Sequence, residues 1–158
     1  MAARFFPAAL GAALVVLAGV AQADPGQALF DKHCAICHQP GGVGAPGYAP
    51  PLADTVGQRL ALEEGRDYVP RILRAGISGP IDTTLGRFNG AMPGFAQLSD
   101  AEAAQLANYV LGALNASVLP AGFVPYTAEE VAALKAKPAS APENRKLRER
   151  LDAALKAR

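Results

Sequence analysis

Between residues 99 and 114 the apolar positions Ala103, Leu106, Ala107, Val110, Leu111 and Leu114 recur at helical spacing. Ser99-Asp100-Ala101-Glu102 stands just ahead of them as a capping-box pattern, so this helix has a marked start. Asp24 before Pro25 is an N-cap followed by the residue best tolerated in a first turn. A short first helix is predicted there, with Leu29 and Phe30 on a face that runs toward Cys34. A further helix is predicted over 66–75 through Tyr68, Val69, Ile72 and Leu73, stopped by Gly76, with Pro70 leaving its start less defined. Between these segments the pattern lapses. Residues 39–58 carry Gly41, Gly42, Gly44, Pro46, Gly47, Pro50 and Pro51 and read as a long loop, and 79–94 read as a second one.

Two patterned stretches close the chain. Thr127-Ala128-Glu129-Glu130 repeats the capping-box pattern ahead of Val131 and Leu134. Beyond residues 138–142, a hinge of Pro and Ala, Leu147, Leu151 and Leu155 fall at i, i+4 and i+8. One leucine row is too narrow a stripe to fold alone, so this tail must lie against the rest of the chain, pair with a partner or fray. At the other end Arg4, an uncharged run over 5–20 and Ala21-Gln22-Ala23 have the form of a secretory leader. The run falls short of the roughly 20 apolar residues that cross a bilayer. The expected organisation is therefore a cleaved segment 1–23, a main domain 24–118 and a helical extension 119–158, in a soluble protein exported to the periplasm.

The 158 residues carry a formal net charge of +1, with no excess of Lys and Arg for gripping phosphates, which sets nucleic-acid binding aside. The balance is uneven along the chain. Residues 24–126 hold six basic side chains against nine acidic, and 127–158 hold eight against five. That split suggests the extension as an arm on which a donor protein docks. On this reading, deleting 127–158 leaves the visible spectrum unchanged and slows reduction by the physiological partner. The region after residue 23 has eight aromatic side chains and no Trp, thin filling for three helices and two long loops. Such loops need something other than secondary structure to organise them. A bulky bound group would supply the missing core.

The candidate for that group comes from Cys34-Ala35-Ile36-Cys37-His38, which holds both cysteines of the chain. Two thiols three positions apart lie on nearly one side of a helical turn, where they can add to the two vinyl groups of one porphyrin, with His38 next in line for the iron. This is the c-type haem attachment spacing, one covalent haem c through Cys34 and Cys37. A thioredoxin-like dithiol expects a βαβ setting, and no strand run suggests one. A zinc site would have to use Cys34, Cys37, His33 and His38, crowded into six residues with no second pair elsewhere. His33 itself reads as a solvated surface residue.

Iron bound by one histidine needs a sixth ligand or an open position, and the choice separates electron carriage from peroxide, oxygen or ligand-sensing chemistry. Met92 is the one methionine beyond residue 1, and it sits in Asn89-Gly90-Ala91-Met92-Pro93-Gly94-Phe95. An isolated Met usually fills a core gap. Its setting between two helices favours iron ligation instead, and a thioether would favour the reduced metal. His38 and Met92 are thus the expected axial pair.

With these residues in view the sequence resembles a class I (monohaem) cytochrome c over residues 24 to about 115. The resemblance implies an all-α cytochrome c fold, three main helices and long loops wrapped around one covalent haem, with the helical extension added. It implies that Gly26 and Phe30 meet the last helix near Tyr109. It also implies that in Pro50-Pro51-Leu52 the Pro50 carbonyl orients His38 and Leu52 packs on the porphyrin. Residues 77–81 and the loop around Met92 are similar to small exported cytochromes that accept electrons from dehydrogenases. The function implied is one-electron carriage between a donor dehydrogenase and a terminal acceptor, with no catalytic residues. The alternatives are a cytochrome subunit of a larger oxidoreductase, or a haem enzyme or sensor with an open sixth position. Tyr48, Tyr68 and Arg87 are open to two readings, propionate partners or ordinary packing and surface residues. With Lys32 the one lysine of the main domain, the docking face is expected to be apolar or weakly acidic, with little electrostatic steering.

Overall fold

The computed structural model describes residues 24–137 and 139–158; the leader-like segment 1–23 and Pro138 lie outside them. Helix α1 spans Pro25–His33, and the Asp24 carboxylate accepts from the Gly26 N–H at 2.8 Å, the cap the sequence implies. Cys34 caps this helix with a widened φ of −117°, and the chain continues as the single turn α2, Ala35–His38. Helix α3 spans Gly65–Ala75 and α4 spans Asp100–Asn108. In α4 the capping box closes: Ser99 Oγ accepts from the Glu102 N–H at 3.2 Å, and the Glu102 carboxylate accepts from the Ser99 N–H at 2.9 Å. The helix then widens into a π-helical turn at Tyr109–Ala113, which periodicity alone does not reveal.

Helices α1 and α4 cross so closely at Gly26 that a β-carbon there would collide with the Gln105 carbonyl and come within 2.7 Å of Tyr109 Cβ. One turn on, the Phe30 and Tyr109 rings pack tilted by 51° with centroids 5.5 Å apart, and Phe30, Leu106 and Leu111 are fully buried. This crossing is the centre of the main core. Helix α3 begins one residue before the expected start and runs straight through Pro70. A proline leaves the carbonyl four residues back without its donor. Here the Tyr126 hydroxyl donates to that Arg66 carbonyl at 2.5 Å, which is how the helix tolerates the proline.

Residues 79–94, expected as loop, form most of an antiparallel hairpin: β1 is Ile77–Thr83 and β2 is Gly86–Met92, with Ile77 opposite Met92 and Thr83 opposite Gly86. The all-α expectation is corrected to a mainly helical fold with one two-stranded sheet. The strands escaped notice because Gly79, Pro80, Gly86 and Gly90 interrupt any alternation, and a lone hairpin is marginal in water. This one is held from outside by the end of the chain.

That end forms α5, Ala128–Leu134, and α6, Ala141–Lys156, capped by Thr127 and Ser140. Of the fates open to the leucine row, packing on the rest of the chain is the one observed. Leu147 and Leu151 are buried with Tyr68, flanked by Leu62, Val69 and Ile72 of the main domain. Ion pairs join the tail to the main domain as well, with bases supplied from both sides. Lys135 pairs with Asp100 at 2.6 Å, Lys137 with Asp67 at 2.7 Å, Arg150 with Glu64 at 2.9 Å, Arg66 with Glu130, and buried Arg59 with Asp152 at 2.5 Å.

Candidate functional site

The attachment residues come off one turn of backbone. The N–H groups of Cys37 and His38 both donate to the Cys34 carbonyl, at 3.1 and 2.8 Å, so the two sulfurs and the imidazole are fixed relative to one another by local hydrogen bonds. Cys34 is buried, Cys37 half-buried, and the two thiols are not bonded to each other. Burial, with Cys37 alongside, pushes the Cys34 thiol up to about 11. A reactive redox dithiol needs a depressed thiol pKa, so these surroundings suit an uncharged sulfur such as a thioether.

His38 is buried, and its Nδ1 lies 2.8 Å from the Pro50 carbonyl. A carbonyl only accepts, so Nδ1 carries the proton and Nε2 keeps its lone pair. Burial lowers the imidazole pKa, partly offset by the Pro50 bond, and the ring is held neutral as a metal ligand must be. The Pro50 contact implied by the resemblance is thus present. Among the described residues Nε2 has no protein hydrogen-bond partner.

Pro50 reaches His38 because the loop 39–58 folds back on itself. The Gly44 N–H donates to the His38 carbonyl at 2.8 Å, and the Gly42 carbonyl accepts from Leu52 and Ala53 at 2.8 and 3.0 Å. The far end of the loop is pinned by Asn115, which sequence reasoning passed over. Its Oδ1 accepts from the Val56 and Gly57 N–H groups at 2.9 and 3.0 Å, and its Nδ2 donates to the Leu52 and Val110 carbonyls at 2.9 and 2.8 Å. The side chain is fully buried with all four hydrogen-bonding positions used. Asn after an apolar helical stretch was the one available hint, and it reads equally as a helix stop. Leu52 is half-buried against the main core.

Met92 ends β2 and is half-buried. Its backbone presses on Gly76, the residue where α3 turns into β1: Gly76 takes φ +72°, and a β-carbon there would collide with the Met92 carbonyl oxygen. The segment that follows is tied to α3 by the Phe95 N–H donating to the Leu73 carbonyl at 2.6 Å. His33 is half-buried with its ring edge-on to Phe95, centroids 5.9 Å apart. It therefore packs against the Met92 segment instead of standing free in solvent, as the sequence had suggested.

The remaining candidates have separate surroundings. Tyr48 is exposed, with its hydroxyl 3.7 Å from Cys37 Sγ. Tyr68 is buried, accepts from Arg148 at 3.1 Å and lies under the Arg59 guanidinium. Arg87 is exposed beside Asp82. Ile36, Val43 and Tyr48 are large apolar side chains left in solvent on the attachment segment and the loop after it.

The donor set fits a haem. Two uncharged sulfurs and a neutral, oriented imidazole from one helical turn match a covalently bound porphyrin and its iron. Among the described residues no group of three or more His, Cys, Asp and Glu side chains is placed to hold a metal ion by itself, and the sheet is antiparallel, without a βαβ unit. Those findings weigh against the zinc and dithiol readings.

Comparison with known proteins agrees. Residues 23–113 match the family model for cytochrome c. A cytochrome c-552 of Thermus thermophilus is 42% identical over 125 residues, 79% of this chain and 84% of that protein. Another cytochrome c-552 from Thermus thermophilus is 45% identical over 104 residues, 66% of this chain and 79% of its own length.

Proposed function

The chain belongs to the cytochrome c family, the electron-transfer haem proteins that bind haem c covalently through cysteine, and we propose that it is an exported, periplasmic one-electron carrier with His38 and Met92 as the axial ligands of its iron. The observation that carries this reading is the 2.8 Å contact from His38 Nδ1 to the Pro50 carbonyl, which leaves a neutral imidazole with a free Nε2 beside both cysteines. When bound, the haem supplies an iron that gains and loses one electron. The chain's own residues do the rest. Cys34 and Cys37 anchor the porphyrin, Pro50 fixes the imidazole plane, and Leu52 lends an apolar wall that keeps water away. The Met92 thioether, a soft neutral donor, favours the reduced metal and so raises the potential toward that of an acceptor near the oxidising end of a chain.

A carrier must also meet other redox proteins, from a donor dehydrogenase to a terminal acceptor. Ile36, Val43 and Tyr48 give the attachment side an apolar, uncharged character. Partner binding there rests on area burial, and its rate responds weakly to salt. Among the described residues no helix is long and apolar enough to cross a membrane, which is compatible with a carrier that diffuses.

The test is made on the exported holoprotein. The mature chain should gain the mass of one haem, the ferric form should show the weak red absorption of iron–thioether ligation, and the native ferrous form should bind carbon monoxide slowly. Fast carbon monoxide binding with no thioether band would instead identify a haem enzyme or sensor with an open sixth position.

A further inference from the structure

We infer that Asn144, in the first turn of α6, is a positioning residue for the Met92 thioether, so that the C-terminal helix helps to set the iron's sixth coordination position. The inference rests on the reading of Met92 as a ligand. Asn144 is fully buried, and its Nδ2 donates to the Gly76 carbonyl at 2.7 Å and to the Arg71 carbonyl at 3.0 Å, while its Oδ1 accepts from Arg71 Nε at 3.2 Å. Gly76 is the residue whose Cα lies hard against the Met92 carbonyl. The next residue, Ile77, is Met92's partner in the ladder. Holding the Gly76 peptide therefore holds the backbone from which the Met92 side chain projects.

The hold is repeated along the strand. Arg145 lies over Gly79, its Cδ 2.9 Å from where a β-carbon would stand, and Arg148 Nη2 donates to the Asp82 carbonyl at 3.3 Å. Residues 144, 145 and 148 share one side of α6 and meet Gly76, just ahead of β1, and β1 itself at 79 and 82, along the strand whose ladder partner is β2. Met92 is thus held from one side by α3 and from the other, through β1, by the tail. On this inference, deleting 127–158 would alter the visible spectrum, contrary to the expectation drawn from the sequence.

The experiment compares full-length holoproteins carrying Asn144→Leu, which keeps the branched shape and removes the amide, with Met92→Ala, Lys146→Ala on the exposed face of α6, and Val131→Ala in the core under α5. Asn144→Leu should retain its covalent haem yet bind carbon monoxide in the ferrous state faster by on the order of tenfold. Its midpoint potential should fall, and its ferric thioether band should weaken. Lys146→Ala should match wild type. Val131→Ala supplies the control for general loosening: it should lose stability with little change in carbon monoxide rate or potential. Should Asn144→Leu fail to mature, Asn144→Asp, which loses the donor to Gly76 at constant size, is read in the same way. An Asn144 variant no faster than Val131→Ala and at the wild-type potential overturns the inference, provided Met92→Ala opens the iron. If Met92→Ala leaves carbon monoxide binding unchanged, the axial reading has failed, and the positioning role falls with it.

Discussion

Replacing Asn115 by Leu should cost this protein more stability than any other single polar side chain of its size on the attachment side. The substitution keeps the branched shape and takes this partner from four backbone groups: the N–H groups of Val56 and Gly57 and the carbonyls of Leu52 and Val110. An unsatisfied buried group costs about 1–3 kcal/mol, and four at the low end come to about 4 kcal/mol. The added apolar side chain returns about 1 kcal/mol, which leaves a net loss of about 3 kcal/mol. For a chain of this size that lowers Tm by about 10 °C. Thermal unfolding of the holoprotein by far-ultraviolet circular dichroism reads the loss. Hydrogen exchange localises it, because Val56 and Gly57 should lose protection beyond the global change while the Leu106 amide follows the global change alone. A fall in Tm below about 3 °C, or uniform loss of protection, would refute the assignment of Asn115 as the hub that ties loop 39–58 to the end of α4.

Other expectations follow from the same geometry. Tyr126→Phe removes the donor that serves the Arg66 carbonyl and should cost about 1–2 kcal/mol in denaturant unfolding; in a Pro70→Ala background, where residue 70 regains its own N–H, the cost should shrink, and an unchanged cost would show that Pro70 is not the reason for the contact. Gly26→Ala should destabilise by about 2–4 kcal/mol through the collision with Gln105, whereas Gly47→Ala, with open space around the site, should cost less and only through its positive φ. Acid should weaken the fold. Arg150 holds the Glu64 carboxyl below its ordinary value of 4.5, and Ser99 does the same for Glu102. A depressed folded-state pKa gives stability that is present above the ordinary value and lost as pH falls through the folded one, so Tm should decline below about pH 4.5. Arg150→Gln should flatten that decline, and an identical pH slope in the variant would exclude the pair as a contributor.

What residue order determined here was whatever acts within one turn. Cys34, Cys37 and His38 need only helical spacing to come together. Asp24, Ser99 and Thr127 cap helices through groups two or three residues away; the meeting of Gly26 and Phe30 with Tyr109 was available only through the family resemblance. The charge division between 24–126 and 127–158 was legible too, yet its meaning was not, since the same side chains serve equally to meet a partner or to close on the chain's own surface. Only the folded chain decided that they close. It also decided that residues 77–92 pair as a hairpin, because that segment has too little alternation to declare itself, and that α6 packs on it. Asn115 and Asn144 stayed invisible for the same reason: a single amide carries no local signature, and most of the backbone groups that define its role lie about 60 to 70 residues away, joined to it only when the helices have packed.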